Sequence, residues 1–554
     1  MKSVFYIFII SFLTIYQSIG QVSVPNDWYH GSPGQGYNGI SLRKAYSDII
    51  KDKKTKTVIV AVIDSGIDIE HEDLKENIWI NPGEIPNNGI DDDKNGYTDD
   101  VFGWNFIGGP DGKNVVHDSY AATRVYASLK YKYDKALVQK LNKKQKIEYD
   151  KYLKAKEIVE REINNAKSSL AQLEAVEGKV MQAIDVVQDK FRDTIFSIDA
   201  LKSLNTNEKY ELLLGKNLIL EVLSSANLNT IDEVRNTILR EIENDKIPFR
   251  NKLDFAYNID YDPRKTIIKD NYDNPKEAYY GNNDVIGPDP MHGTHVGGII
   301  GAVRNNDLGM DGIAPNVKLM TVRAVPDGDE RDKDVANAIR YAVDNGASVI
   351  NMSFGKGFSL NKDVVDEAIQ YAAKKDVLLV HAAGNAGENN DVIQSYPTPT
   401  SEKKSGFLCK KHKKAKNWIE VGALSYKSGK DAIAPFSNYG NKEVDLFAPG
   451  MKIYSTIPND EYAPLQGTSM ASPVVAGVAA AVRSVYPTLT AEQVKEVLMK
   501  SVTPITQNVL LPGSKSENVS FSKLSVSGGV VNLESALNYA ATIKGKKKIK
   551  EVKA

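Results

Sequence analysis

The chain has 554 residues, more than one hydrophobic core usually organises, so its length calls for one large domain with something added. Its 70 Lys plus Arg and 71 Asp plus Glu leave a net charge of −1, which argues against a dedicated nucleic-acid binder. The single cysteine, Cys409, excludes an internal disulfide and leaves the fold to its core, with or without bound metals.

Residues 1–20, "MKSVFYIFIISFLTIYQSIG", place Lys2 before an apolar run from Val4 to Tyr16, with Ser18 and Gly20 just ahead of Gln21. This is the pattern of a signal peptide, and the run is short for a hydrocarbon core of ~30 Å. An uncleaved N-terminal anchor is the competing reading. The expectation is an exported product, periplasmic or extracellular, with no stable membrane insertion after cleavage.

"KTVIVAVID" (56–64) reads as a buried strand that delivers Asp64 to its carboxyl end, where the carboxylate either caps the next turn or takes part in chemistry. "NNGIDDDKNGYTDDVFGW" (87–104) puts Asp91, Asp93, Asn95 and Gly96 at positions 1, 3, 5 and 6 of an EF-hand-like loop. Tyr97 would supply a carbonyl and Asp99 stands at position 9. The bidentate Glu of position 12 is replaced by Phe102, so Asp100 is the substitute ligand. Structural Ca²⁺ is the expectation; an acidic turn that merely solvates its charges is the alternative.

Between about Ser119 and Lys252, Lys, Glu, Leu and Ala dominate, and proline is absent until Pro248. Ala166, Leu170, Leu173, Val180, Ile184, Val187 and Phe191 follow a 4-3 spacing interrupted at Glu177, the pattern of a helical hairpin or small bundle. Surface loops of an α/β domain tolerate such insertions. A coiled-coil arm for a partner or for self-association is the other reading.

"MHGTHVGGIIGAV" (291–303) sets two histidines one helical turn apart, before small residues that let a helix pack closely. His-x-x-His can hold a metal, but no nearby acid completes a zinc site of the His-Glu type. "VKLMTVRAV" (317–325), "GASVINMSF" (346–354) and "DVLLVHAAG" (376–384) are further strands, alternating with helices over 333–345 and 362–375. Such alternation means a parallel sheet with helices on both faces and sites at the carboxyl ends of its strands. "HAAGNAG" (381–387) follows a strand with Asn385, whose amide can donate to an oxyanion. "LQGTSMASPVVAG" (465–477) gathers Thr468, Ser469 and Ser472 where the chain enters an apolar, small-residue helix, with Pro473 expected in its first turn. Capping accounts for hydroxyls there, and a reactive one needs a base, an orienting acid and oxyanion donors.

"AVIDSGID", "HGTHVGG" and "GTSMASPVVAG", in this order, resemble the three catalytic motifs of the subtilisin-like serine proteases, the subtilases; "NMSFG" and "AAGN" are similar to the family's substrate-binding strand and oxyanion loop. The resemblance covers roughly residues 25–115 and 280–540. The order Asp, His, Ser sets the chain apart from α/β-hydrolases, which excludes an esterase of that type. The resemblance implies an exported endopeptidase acting on proteins or peptides. Ser469 would be the nucleophile, His292 the general base and acid, Asp64 its orienting partner, and Asn385 with the Ser469 N–H the oxyanion hole. His295 would be structural, with Thr468 and Ser472 packing and capping. It further implies that Ser353, Phe354 and Gly355 line the S1 side, with Gly328 of "VPDGD" at the other edge of the peptide. Phe354 and the glycines suggest an apolar or permissive S1 pocket. A second calcium site is implied at Asp73 and Asn306, without a clear glutamine partner.

The fold expected is therefore α/β: a subtilisin-like parallel sheet interrupted by an all-α helical insertion. Its parts are a signal peptide (1–20), the catalytic domain in two pieces (21–118 and 253–540), the insertion (119–252) and a basic, solvated tail (541–554). The resemblance implies that the mature domain starts at "NDWYHGSPGQGYNG", so no room is expected for the family's N-terminal pro-domain, and the insertion is expected to pack over the groove or assist folding instead. The rival class is a catalytically silent exported binding protein that uses the helical arm to hold a partner.

Overall fold

The computed structural model describes residues 24–34, 36–206, 209–401 and 413–547. The expected signal peptide, Cys409 and the tail beyond 547 lie outside the described residues. Apolar, β-branched runs form the central sheet: β1 (Val58–Asp64), β2 (Gly103–Asn105), β3 (Val317–Arg323), β4 (Val349–Met352), β5 (Leu378–Ala382), β6 (Trp418–Leu424), β7 (Leu446–Pro449), β8 (Thr503–Pro504) and β9 (Gly529–Val530). They lie in the order β8-β9-β7-β6-β5-β4-β1-β3-β2, and all neighbours are parallel except β8 and β9. Because β2 and β3 lie on one side of β1 and β4 and the later strands on the other, the connections diverge at the carboxyl end of β1, where a cleft can open.

Strand alternation sends Val58, Val60 and Val62 to one apolar cluster and Ala61 and Ile63 to another. The first face is covered by α5 (Met291–Gly301) and α8 (Thr468–Val485), the second by α6 (Asp332–Asp344) and α7 (Lys362–Lys374). Asp64 has the parity of Val62, so it emerges on the face that carries α5 and α8. Helix α8 alone among the described residues is long and apolar enough to cross a membrane, but 94% of that window is buried inside the fold. Its small residues let it run through the core of the domain.

Between β2 and β3 the chain forms α1 (Ala121–Tyr133), α2 (Lys143–Gln188), α3 (Tyr210–Ala226) and α4 (Ile231–Asn251). Helix α2 has 46 residues and so extends roughly 70 Å. Capping boxes start α2 at Asn142 and α4 at Thr230. The 4-3 series buries Ala166, Leu173, Ile184 and Val187. Glu177, which breaks it, accepts from Lys246 of α4, a buried ammonium that also meets Glu243 at 2.7 Å. The interruption is thus an ion pair inside the arm. The outer half of α2 packs with α3 and α4 in a cluster of its own around Ile184, Ile219, Val234 and Ile238. The inner half joins α1 in a cluster that includes Tyr257 and Phe358.

Both legs of the arm grip the segment that follows β3. Arg331 is bound by Asp118 at 2.6 and 2.8 Å and by Asp262 at 3.2 Å, while Arg124 donates to Asp329 O at 3.0 Å and Glu330 O at 3.2 Å. The first residues of the basic tail are held through their backbone while their lysines stay exposed: Gln493 Nε2 donates to Lys544 O, and Lys547 N to Thr488 O, both at 2.9 Å.

Candidate active site

Asp64 and His292 meet because a glycine faces a glycine. A Cβ on Gly293 would lie 2.0 Å from Gly66 O, so only glycine lets α5 start against the turn that leaves β1. His292 Nδ1 donates to Asp64 Oδ1 at 2.7 Å, and the same oxygen accepts from Ser65 N at 2.8 Å. The carboxylate is 3% exposed and the imidazole 40%, so the acid is enclosed and the base reaches the cleft. Burial lowers the His292 pKa, but the charge and hydrogen bond of Asp64, with Asp289 adding, outweigh it and raise it above the ordinary histidine value. His295, one turn on, is buried and donates through Nε2 to Ala463 O at 3.0 Å; burial pushes its pKa down to about 4.

Ser469 is the second residue of α8, whose N-cap, Gly467, has φ +153°. Its N–H is one of the helix's unpaired amino-terminal donors. Its hydroxyl donates to Ser353 O at 3.1 Å. Pro473 lies inside α8 rather than in its first turn, and lacks the N–H that would reach Ser469 O. Ser353 Oγ replaces it at 2.9 Å. The cap reading of the other hydroxyls also needs correction, since α8 has no side-chain cap. Ser472 Oγ donates to Asn351 Oδ1 at 2.8 Å, and Asn351 Nδ2 to Ser353 Oγ at 2.9 Å. A chain of hydrogen bonds thus ties the inside of α8 to the end of β4.

Thr468 N and Oγ1 both donate to Asn385 Oδ1, at 2.8 and 2.9 Å, while Thr468 Oγ1 accepts from Gly384 N at 3.1 Å. With its oxygen held this way, the Asn385 amide offers its Nδ2 donor, which lies 3.5 Å from a Cβ built on Gly467. Thr468 therefore orients the amide, a role hidden in sequence by its resemblance to a cap.

Gly355 is exposed and Phe354 half-buried after β4, beside Ser353. Gly328 has φ +145°, and a Cβ there would stand 2.2 Å from Asp118 O. The backbone it admits is the chain's own at the foot of the arm. A cleft of about 340 Å³ lies in front of Asp64 and His292, lined also by His117, Val325, Asp327 and Asp289. His117 Nδ1 bonds to Asp327 Oδ2 at 2.7 Å, and its ring stacks on Phe255 at 4.2 Å, where the chain returns from the arm.

In the acidic loop Asp93 and Asp100, both expected as ligands, come together with a third carboxylate, Glu84. Asp91 accepts from Asn95 N and Gly96 N, and Asp99 from Asn88 N and Gly89 N, so both fasten the loop's own backbone. Asn95 Oδ1 accepts from Tyr97 N, and the Tyr97 ring is buried against Trp104 and Tyr341. Asp93, which is exposed, and Asp100, which is buried, are joined by buried Glu84, the three offering oxygens within 4.8 Å of one another. Glu84 Oε2 is buried without a partner, and burial pushes the Asp100 carboxyl up to about 6. Glu84 lies outside the loop pattern, which is why the sequence did not single it out. Asp73 and Asn306 do meet, as a hydrogen-bonded pair: Asn306 Nδ2 donates to Asp73 Oδ1 at 2.8 Å, and Asn306 Oδ1 accepts from Leu308 N.

The chain is similar in sequence to several known serine proteases. The chain is 42% identical over 201 residues to the thermophilic serine proteinase of Bacillus sp. (strain AK1), which is 35% of this chain and 44% of that protein. It is 38% identical over 215 residues to subtilisin DY of Bacillus licheniformis, covering 38% of this chain and 70% of the relative. Against thermitase of Thermoactinomyces vulgaris it is 40% identical over 189 residues, 34% of this chain and 59% of that protein. Apart from subtilisin DY, the matches to these relatives span about half of their length. A solved structure of the prenylagaramide maturation protease PagA superposes with a TM-score of 0.35 at 28% identity, covering 45% of this chain and 82% of that one. The family model for the subtilase family, Peptidase_S8, matches residues 55–524, from the strand that carries Asp64 to beyond the helix that carries Ser469. A match of that extent makes the chain a member of the subtilase family.

Proposed function

We propose that the protein is an exported serine endopeptidase in which Asp64, His292 and Ser469 form the catalytic triad and Asn385 with the Ser469 N–H the oxyanion hole. The observation that carries the reading is the 2.7 Å bond between His292 Nδ1 and an enclosed Asp64, together with a serine at the amino end of a buried helix. That bond fixes Nδ1 as the donor and leaves Nε2 free to accept a proton. The Ser469 hydroxyl turns from Ser353 O to His292 Nε2 as substrate enters. Its oxygen attacks the scissile carbonyl while the proton passes to Nε2, and Asp64 stabilises the imidazolium. The carbonyl oxygen, now negative, is held by Asn385 Nδ2 and the Ser469 N–H. Collapse returns the proton from Nε2 to the leaving amine and leaves an acyl-enzyme, which water cleaves by the same steps. Labelling with a fluorophosphonate, together with casein hydrolysis, tests the assignment: loss of both in Ser469→Ala is expected, and an unlabelled Ser469 in folded protein would favour a binding protein on this fold.

The raised His292 pKa sets the pH response. His292 must be neutral to accept the proton, so kcat/KM falls as pH drops through the folded-state pKa and reaches its plateau on the alkaline side of the ordinary histidine value. A profile of kcat/KM against pH at constant ionic strength checks this, and a limb well below that ordinary value would contradict it.

The acidic loop supports a structural calcium site held by Glu84, Asp93 and Asp100, whose crowded carboxylates and orphaned Glu84 oxygen suit a hard divalent cation. Bound Ca²⁺ would stabilise the fold by about 2.7 kcal/mol at a hundred times its Kd. Chelation is therefore expected to lower Tm, calcium alone to restore it, and Glu84→Gln to remove the calcium dependence. Export rests on the pattern of residues 1–20 and is tested by mapping the N-terminus of the exported protein by mass.

A further inference from the structure

Resting on this reading of the catalytic centre, one feature of the substrate cradle goes beyond it. Ser353, Phe354 and Gly355 form one wall of the cradle, and beneath them lies a polar pair inside the sheet. His381 of β5 and Glu420 of β6 are register partners, so their side chains leave the sheet on the same face. His381 Nδ1 donates to both Glu420 oxygens at 3.0 Å, and Trp418 Nε1 donates to Glu420 Oε2 at 2.8 Å.

A carboxylate facing Nδ1 places a proton on that nitrogen, so in the neutral ring the lone pair is on Nε2. Nε2 is fully buried and has no hydrogen-bond partner, a costly state for an imidazole nitrogen unless a ligand completes it. His381 lies directly under the cradle: a Cβ built on Gly355 would be 3.8 Å from His381 Cε1 and 2.9 Å from Ser395 Oγ, and the Phe354 ring meets the imidazole edge-on at 6.3 Å.

Beside this wall opens a cavity of about 720 Å³. Ser395, Tyr396, Glu388 and Glu420 line it on the sheet side, and Lys154 and Ile158 of α2 close it from the arm. Tyr396 is fixed to the wall by paired backbone bonds with Lys356, at 2.8 and 3.0 Å. Glu420 is 5% exposed and borders this space.

We infer that His381 and Glu420 are specificity residues that select a cationic side chain, lysine or arginine, at the P1 position of the substrate. The His381 Nε2 lone pair accepts from the ammonium or guanidinium, and the Glu420 carboxylate behind it supplies the opposite charge. A hydrocarbon P1 side chain would leave His381 Nε2 buried and unpaired, while Glu420 keeps its bonds from His381 and Trp418, and that orphaned nitrogen is the stronger source of discrimination. This departs from the apolar pocket suggested by Phe354 and the glycines, because the floor comes from two other strands.

The test uses the full-length protein and fluorogenic peptides identical except for Lys, Arg, Phe, Leu or Glu at P1, with active enzyme counted by fluorophosphonate labelling. Lys and Arg are expected to exceed Phe and Leu in kcat/KM by at least about tenfold, and Glu420→Gln to erase most of that ratio while labelling persists. Benzamidine should compete with substrate in the wild type and lose potency in the variant. Should Glu420→Gln not fold, the wild-type ratio and benzamidine competition decide alone. Labelled enzyme that prefers Phe, Leu or Glu at P1 overturns the assignment and leaves the protease intact. Absence of labelling in folded protein overturns the protease reading and this inference with it.

Discussion

Ser469→Ala is expected to lower kcat by about 10⁶-fold, the magnitude established for the corresponding change in subtilisin itself and carried over to this family member. The physical reason is that nothing else in the cleft can form the acyl-enzyme. Thr468 Oγ1 is committed to Asn385 Oδ1 and accepts from Gly384 N, and Ser472 Oγ is buried against Asn351 Oδ1. Neither hydroxyl can substitute. The variant should fold as the wild type does, since the lost hydroxyl makes one bond, to Ser353 O, and Ser353 keeps its bond to the residue 469 carbonyl through its own Oγ. Single-turnover kinetics with a chromogenic peptide, beside a thermal melt, separates the two effects. Residual turnover within tenfold of wild type would sink the triad assignment.

Asp64→Asn is expected to cost about 10⁴-fold in kcat. Here the loss comes through His292. Asp64 Oδ1 accepts from both Ser65 N and His292 Nδ1, so an amide that puts its oxygen there keeps both bonds but buries its NH2 at the unpartnered Oδ2 position, and either orientation removes the charge that stabilises the imidazolium. With the negative charge gone, burial is no longer outweighed and the His292 pKa falls. The variant should therefore be slow at every pH, and its acid limb should move to lower pH. A rate loss with an unmoved limb would mean that Asp64 only shapes the turn. That combination distinguishes orientation of the base from general damage to the fold.

The stretches around Asp64, His292, Asn385 and Ser469 were legible because each is local. A strand ends in a carboxylate, a helix opens on a histidine, and a small-residue helix opens on a serine. Strand alternation was legible for the same reason, and so were the insertion's helices, whose period is written in their own residues. Pro473 was misplaced by its position in the helix, since its consequence, a carbonyl left for Ser353, lies 116 residues away in the chain. Asp93 and Asp100 were legible from the EF-hand-like spacing, while Glu84 stayed hidden because it joins them from outside the loop.

The sequence by itself determined the kinds of element and the reacting residue types, since periodicity, turn residues and motif order act over a few positions. Tertiary structure decided which groups meet across long separations. It placed Gly293 against Gly66, set Thr468 to hold Asn385, and brought Arg124 and Arg331 between the arm and the segment after β3. It also paired His381 with Glu420, which depends on the register between two parallel strands. Register is fixed by packing of the whole sheet, so a change of one residue would send either side chain to the opposite face.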